Sequence, residues 1–392
     1  MLNADHVHVT RPARPALNLA ELRSTQSDKA ESATIRRHTQ ARNQSIDVLR
    51  GVAILLVLGF HFPYYSSLAH FGWAGVNLFF VLSGFLVSGL LFDAYRNSGS
   101  IQFRRFFIRR GFKIWPSLYM YLIAVMLLGY ATPLNTFIVE RGLARFPWAV
   151  FLNAGLFLQN YTGVWNGFTA HIWSLCVEEH FYLILPLLFW LFVRLIGARG
   201  MRAIAWTSGA SMIICLVLRI LAAPDGHSEG RSHLIFDNLF CGVWLSYYYR
   251  FYPEKFRRLT SYWSLAVAFV LLLPAFVLNQ STRFMQTFGL TCMSIAFLLL
   301  LAWAIDRRPK SRGVASLARQ VAKIGFYSYS IYLWHAIVLF AIKGNFGVKL
   351  LPFWLYVAAS IALGMMMAQN TEQPFLRLRD RLFPDLGKPK EL

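Results

Sequence analysis

Acidic side chains are scarce in this 392-residue chain, where 18 Asp and Glu stand against 39 Lys and Arg for a net charge of +21. Cysteine is scarcer still. Cys176, Cys215, Cys241 and Cys292 are scattered through apolar stretches with no paired spacing, which indicates neither a disulfide framework nor a zinc site, and no metal is expected. Nor is a segmental repeat evident, which disfavours the inverted-repeat transporter architectures. The basic residues are not interleaved along a soluble face, so the positive balance does not point to nucleic acid.

What the chain has in abundance is apolar length. Hydrophobic residues make up 56% of it, and they gather in runs of roughly 17–22 residues, long enough to cross a ~30 Å hydrocarbon core as helices. Only helices satisfy every backbone group of such a segment inside lipid. The runs predict spans near 47–64, 73–94, 112–130, 177–196, 203–221, 232–249, 261–278, 285–305, 324–342 and 351–370. The predicted fold is therefore all-α, a polytopic membrane bundle of about ten transmembrane helices. A further apolar stretch, 146–160, is too short to cross and reads as a re-entrant or interfacial helix.

Charge orients the bundle. With 146–160 kept out of the count, 32 of the 39 basic residues fall on one side, which by the positive-inside rule is the cytoplasm and holds both termini. The exceptions are Arg141, Arg145, Arg219, Arg231, Arg283, Lys343 and Lys349. Anionic lipid of the inner leaflet attracts such flanking charge, so the expected partner is the bilayer and the expected location the inner (plasma) membrane. Residues 1–45 are polar and rich in Arg, Ser and Thr without periodicity, as a disordered tail is. The first apolar run is a full-length span followed by others, which makes it a signal-anchor and not a cleaved leader. Residues 46–376 form the membrane domain and 377–392 a basic cytoplasmic tail. With so little chain after the last span, no soluble extracellular domain is expected.

Ionisable residues inside spans are expensive and mark candidate function. They form two predicted layers. Toward the inner face lie Arg50 and the run FFIRRGFKIWP, with Arg109, Arg110 and Lys113; toward the outer face lie His61, Glu178, Glu179, His180, Asp237 and His335. Arg50 and His61 are eleven residues apart, about three helical turns, and share one helix face. Arg109 and Lys113, four apart, also face together. Guanidinium forks and a lysine suit a phosphate-rich ligand, although an ordinary inner-leaflet basic loop reads the same way. In HIWSLCVEEHFYLILPLL the paired carboxylates can orient a histidine base or act as bases themselves; the alternative is structural neutralisation by Arg219 or Arg231. Trp173 and Tyr182 flank them as interfacial aromatics. Asp237 reads as one half of an ion pair with Arg231. His335 is either a second active-site imidazole or an aromatic-belt neighbour. A phosphate-seeking layer inside and a histidine with carboxylates outside suit transfer of an activated group, and acyl transfer from a thioester fits.

These residues also sit in motifs. IDVLRGVAILLVLGFHF, GVNLFFVLSGFLVSGLL, FFIRRGFKIWP, WSLCVEEHFYLILP, RSHLIFDNLFCGVWLSY, YSYSIYLWHAIV and the late TEQPF occur in order from residue 46 to about 376. In that order the chain resembles the membrane-bound acyltransferase family 3, enzymes that O-acylate lipopolysaccharide, exopolysaccharides and related glycans. The resemblance implies acyl-CoA as donor substrate with no bound cofactor, a glycan hydroxyl as acceptor, and a site that uses Arg50, His61, Arg109, Arg110 and Glu178. Lys113 stands where that family usually has arginine, Asn77 where it often has aspartate, and His180 where glutamine is common.

The expected mechanism docks the CoA phosphates on Arg50, Arg109, Arg110 and Lys113. His61 then serves as base or acyl carrier, with Glu178 and Glu179 beside it and Trp173, Ser174, Tyr182, Asp237 and His335 in support. The alternative is a proton-coupled glycan or lipid transporter in which His61 and Glu178 relay protons. A membrane protein that recognises a glycolipid without catalysis is a second rival.

Overall fold

The computed structural model describes residues 43–62, 70–131, 147–222, 230–307, 311–342 and 352–383. Of the expected disordered tail, residues 1–42 lie outside the described residues, and Gln44 and Ser45 already belong to the first helix. Among the described residues the chain is helical and has no strand. In order the helices are α1 (Gln44–His61), α2 (Ala74–Ser98), α3 (Phe103–Ala131), α4 (Pro147–Gly155), α5 (Gln159–Thr162), α6 (Trp173–Ile196), α7 (Gly200–Ala222) and α8 (Ser232–Phe251). There follow α9 (Pro253–Arg258), α10 (Tyr262–Val277), α11 (Leu290–Asp306), α12 (Arg312–Phe326), α13 (Ser328–Ile342), α14 (Phe353–Met367) and α15 (Gln373–Leu382).

Each predicted span overlaps one of these helices, without all ten being long enough to cross. Six stretches are long and apolar enough to cross a membrane, and seven if α12 and α13, bent by 72° at their junction, count as one span. One of the six, residues 170–222, is 53 residues long, far beyond the ~20 that cross a bilayer. It breaks at Gly197, whose φ of +58° is left-handed, and its two halves α6 and α7 pack on one another. By length and composition this is a multi-pass membrane protein. α4, at nine residues, rises only about 14 Å and is too short to cross, in keeping with the sequence expectation for 146–160.

The surface is apolar where helices face outward. Trp263 on α10 is 83% exposed and Trp206 on α7 79%, an apolar exterior that water would penalise and hydrocarbon does not. Pro116, Pro186 and Pro274 stand inside α3, α6 and α10, as membrane helices tolerate.

Close backbone approach holds the interior together. A Cβ on Gly84 of α2 would lie 1.9 Å from the Leu239 carbonyl of α8, and one on Gly242 would lie 2.2 Å from the Val81 carbonyl, so this pair of helices packs as small-residue membrane interfaces do. Arg250 of α8 reaches Asp93 of α2 at 3.1 Å. α1 meets α12 the same way, since a Cβ on Gly325 would come 1.8 Å from the Asp47 carbonyl. Between α7 and α8 the fully buried Arg219 and Asp237 pair at 2.7 Å. One apolar core, with Ile54, Leu58, Leu118, Leu333 and Tyr356, joins α1, α3, α13 and α14. The candidate site rests on it.

Candidate active site

α1 carries both ends of the site. Its last residue is His61 and Arg50 lies eleven residues before it, about 16 Å along the axis. The His61 ring Nδ1 lies 2.9 Å from the Val57 carbonyl one turn earlier. A carbonyl only accepts, so Nδ1 carries the proton of the neutral ring and the lone pair sits on Nε2.

Two more imidazoles join it. His171, on a one-turn helix at Ala170–Ile172, sets its Nε2 3.2 Å from the Leu333 carbonyl of α13. His335, fully buried on α13, lies between them with its ring tilted against one and edge-on to the other: its ring centroid is 5.0 Å from that of His61 and 5.1 Å from that of His171. His335 Nδ1 donates to the Tyr332 carbonyl at 2.5 Å, and its Nε2 has no partner among the described residues. Tyr332 hydroxyl donates to the His171 carbonyl at 2.6 Å and meets Ser174 Oγ at 2.6 Å. Ser174 thus pins α6 to α13 at the level of the histidines.

His61 and His171 line a cavity of about 560 Å³. Its walls are aromatic at Trp73, Tyr161, Trp165 and Trp173 and carry the amides of Asn77, Gln159 and Asn160. Arg231 stands on the wall, and no carboxylate is among the described residues that line it. Large apolar pockets with a few placed polar groups are where small ligands bind.

The cationic layer lies at the other end of α1. Lys113 forms an ion pair with Glu372, a carboxylate only 2% exposed that also accepts from Ser330 Oγ at 2.7 Å. Arg109 reaches Asp380 of α15 at 3.3 Å and the Phe383 carbonyl. Arg110 lies over the Tyr182 ring at 5.1 Å, a cation–π distance.

Glu178 meets this layer through Tyr182 and the cations. Tyr182 hydroxyl donates to Glu178 at 2.8 Å and meets Ser83 at 2.5 Å, and the charges that act on the carboxylate are Arg50 and Arg110. Glu178 is not among the described residues that line the cavity with His61. Depth along one helix was readable in the sequence, but the reach of the Arg110 side chain across from α3 was not. Glu179 points elsewhere, accepting from Nε1 of the exposed Trp115 of α3 at 3.3 Å. Asp237 is an ion-pair residue as expected, but its partner is Arg219 and not Arg231. His180 Nδ1 lies 2.7 Å from Ser232 Oγ, away from the imidazole array. Among the described residues no group of three or more His, Cys, Asp or Glu is placed to hold a metal ion.

A family model described as an acyltransferase domain matches residues 43–368. The chain belongs to the acyltransferase 3 family.

Relatives of this acyltransferase 3 protein are named for acetyl transfer. A Staphylococcus aureus protein provisionally named an O-acetyltransferase is 26% identical over 355 residues, 84% of this chain and 56% of its own. The peptidoglycan O-acetyltransferase OatA of Listeria monocytogenes is 27% identical over 319 residues, 76% of this chain and 50% of its own. A Bacillus subtilis protein provisionally named a peptidoglycan O-acetyltransferase is 25% identical over 311 residues, 74% of this chain and 47% of its own. The chain thus spans about half the length of the curated relatives it matches. No solved structure matches it significantly.

Four residues of the candidate site escaped the sequence reading. His171 opens the very segment from which Glu178 was chosen, and its signal was a second histidine beside a tryptophan-rich mouth. Glu372 sits in TEQPF, where a lone acid just past the last apolar run was the available clue. Gln159 and Asn160 are uncharged and lay in a stretch judged only by its length.

Proposed function

We propose that this acyltransferase 3 protein moves an acyl group, acetyl in the simplest case, from cytoplasmic acyl-CoA to a hydroxyl of a cell-envelope glycan. One observation carries the reading. His61 faces an aromatic, amide-rich cavity at one end of α1, while Arg50, Arg110 and their neighbours form a cationic layer at the other. Aromatic walls suit the apolar face of a sugar ring, and amides its hydroxyls. The names of the relatives, which point to O-acetylation of peptidoglycan, agree in reaction type and in acceptor class.

In this mechanism the donor's phosphates bind Arg50, Arg109, Arg110 and Lys113, exchanging with the carboxylates of Asp380 and Glu372 that hold two of these cations in the unliganded protein. Glu178 and Tyr182 position Arg110. The pantetheine arm runs along α1 and brings the thioester to His61. His61 Nε2 takes the proton of the acceptor hydroxyl as its oxygen bonds to the acyl carbon. The C–S bond breaks, and the proton passes to the departing thiolate. In the two-step form Nε2 itself attacks the acyl carbon, releases CoA, and yields the acyl group to the glycan oxygen.

The test measures CoA thiol released from acetyl-CoA by membranes with and without de-O-acetylated envelope glycan. Wild type releases thiol and His61→Ala does not; normal transfer by His61→Ala removes the central claim. Release in the absence of glycan identifies the two-step route. Glycan movement without thiol release assigns the protein to transport instead.

A further inference from the structure

Of the described residues that line the cavity with His61, Arg231 alone carries a permanent charge. No carboxylate stands among them. Sequence spacing offers Arg231 to Asp237, yet that acid is taken by Arg219, and Arg231 is exposed and makes no ion pair among the described residues. Other cations of the bundle differ. Arg109 is paired with Asp380, Lys113 with Glu372 and Arg250 with Asp93, so their charges have an internal answer that the charge of Arg231 lacks.

The backbone that carries this guanidinium is held on both sides. Before it, the Gly230 carbonyl accepts from Asn160 Nδ2 of α5 at 3.0 Å, at a φ of +98° that suits glycine. After it, Ser232 Oγ accepts from the same amide at 2.9 Å and lies 2.7 Å from His180 Nδ1 of α6. Arg231 itself caps the start of α8, its carbonyl taking the Leu234 N–H at 3.0 Å. Three helices thus fix the peptide and leave the side chain open. Such preorganisation lowers the ordering cost of clamping a ligand.

A guanidinium fork on a cavity wall selects an anion, and it fits the paired oxygens of a carboxylate or a phosphate. Charge balance decides between them. A diphosphate carrier brings more than one negative charge, and the described lining residues hold no second permanent cation to meet it. A sugar carboxylate brings one. We propose that the acceptor is an acidic glycan, and that Arg231 binds the carboxylate of a sugar unit while a hydroxyl of the same or the adjoining unit reaches His61. Arg231 takes no part in bond exchange. It sets which glycan is accepted and in what register, and leaves the donor untouched. The inference rests on the acyltransferase reading for its substrate, and its test separates the two.

The full chain in lipid nanodiscs is supplied with acetyl-CoA and with de-O-acetylated glycan from the envelope of a source strain lacking the protein, either native or with its carboxylates converted to neutral amides. Acetyl transfer is followed, and retention of each tritium-labelled glycan by the nanodiscs is measured separately. Amidation raises the glycan KM of wild type about tenfold, and Arg231→Gln does the same with native glycan, as loss of one charge-assisted hydrogen bond does. Combining the two adds little, because one contact cannot be lost twice. Arg231→Lys, which keeps the charge without the fork, falls between. The acetyl-CoA KM, which also reports folding, stays unchanged, and the amidated glycan probes the contact in wild type even if the variant does not fold. Arg283→Gln removes an exposed cation that is not among the lining residues and leaves the glycan KM alone. A wild-type KM indifferent to amidation, or an equal effect of Arg283→Gln, overturns the acidic-glycan site and leaves the transferase standing. Retention of native over amidated glycan that Arg231→Gln abolishes, without transfer by wild type, upholds the site and overturns the transferase. Neither transfer nor retention by wild type overturns both.

Discussion

The two ends of α1 are built on opposite electrostatic plans. At the cationic end, Lys113 is already paired with Glu372 and Arg109 with Asp380. At the histidine end, His335 Nε2, Gln159 Oε1, Asn160 Oδ1 and Trp73 Nε1 are buried without partners among the described residues. Charges cannot be left bare in a low-dielectric bundle, because an isolated buried ion costs far more than an isolated amide. A buried site for an anionic ligand must therefore keep internal counterions that the ligand exchanges with. The wall of the cavity can carry neutral orphans, since each such amide or indole costs only about 1–3 kcal/mol.

The largest effect that tests this division is at the histidine end. His61→Ala should lower acyl transfer about 10²–10⁴-fold, the range for losing a general base, with its protein level in membranes unchanged; thiol release from acetyl-CoA measures it. Next comes the cationic end. Lys113→Met strands the buried Glu372 and should destabilise the protein by roughly 3–5 kcal/mol, read as a loss of thermal stability in detergent. The double variant Lys113→Met with Glu372→Gln should recover most of that stability. If it also keeps the wild-type donor KM, Lys113 is structural only and the exchange mechanism loses one cation. Arg110→Gln, which leaves the cation–π contact with Tyr182 empty, should raise the acetyl-CoA KM about tenfold, the worth of one charge-assisted hydrogen bond. Its glycan KM should stay put; a shift there would show that the two ends are not separate. Smallest is Ser174→Ala, which removes the hydroxyl contact to Tyr332 at about 1 kcal/mol and should lower the rate only severalfold, through a looser His171 turn.

Much of this molecule was legible before its structure was. The helices coincide with the apolar runs because lipid allows few other ways to satisfy a backbone. His61 and Arg50 could be placed at two depths of one helix from their spacing alone. Lys113 and Arg109 were recognisable as a charge cluster, but not the acids that answer them, since Glu372 and Asp380 lie more than 250 residues away in the chain. Glu178 shows the same limit from the other side. Spacing located it on α6, and only packing showed that α3 brings Arg110 within reach of it and of its partner Tyr182.

The Asp237 pair makes the point within one neighbourhood. Arg231 was the near candidate in sequence, six residues away, yet α7 supplies Arg219 to the buried carboxylate while Arg231 faces the cavity. Nearness along a helix matters less than which side of it faces a neighbour.

By itself, the sequence determined that this protein is a helical membrane bundle with a histidine and a group of cations set along its first helix. Those properties follow from local rules, the length of apolar runs and the rise of a helix, that act on consecutive residues. Tertiary structure decided which polar groups are satisfied and which are left open. It joined His61, His171 and His335 from three separate elements, closed the cations with distant acids, and set Gln159 and Asn160 of a short segment on the cavity wall. Whether a side chain is satisfied depends on atoms that only folding brings within 3 Å of one another.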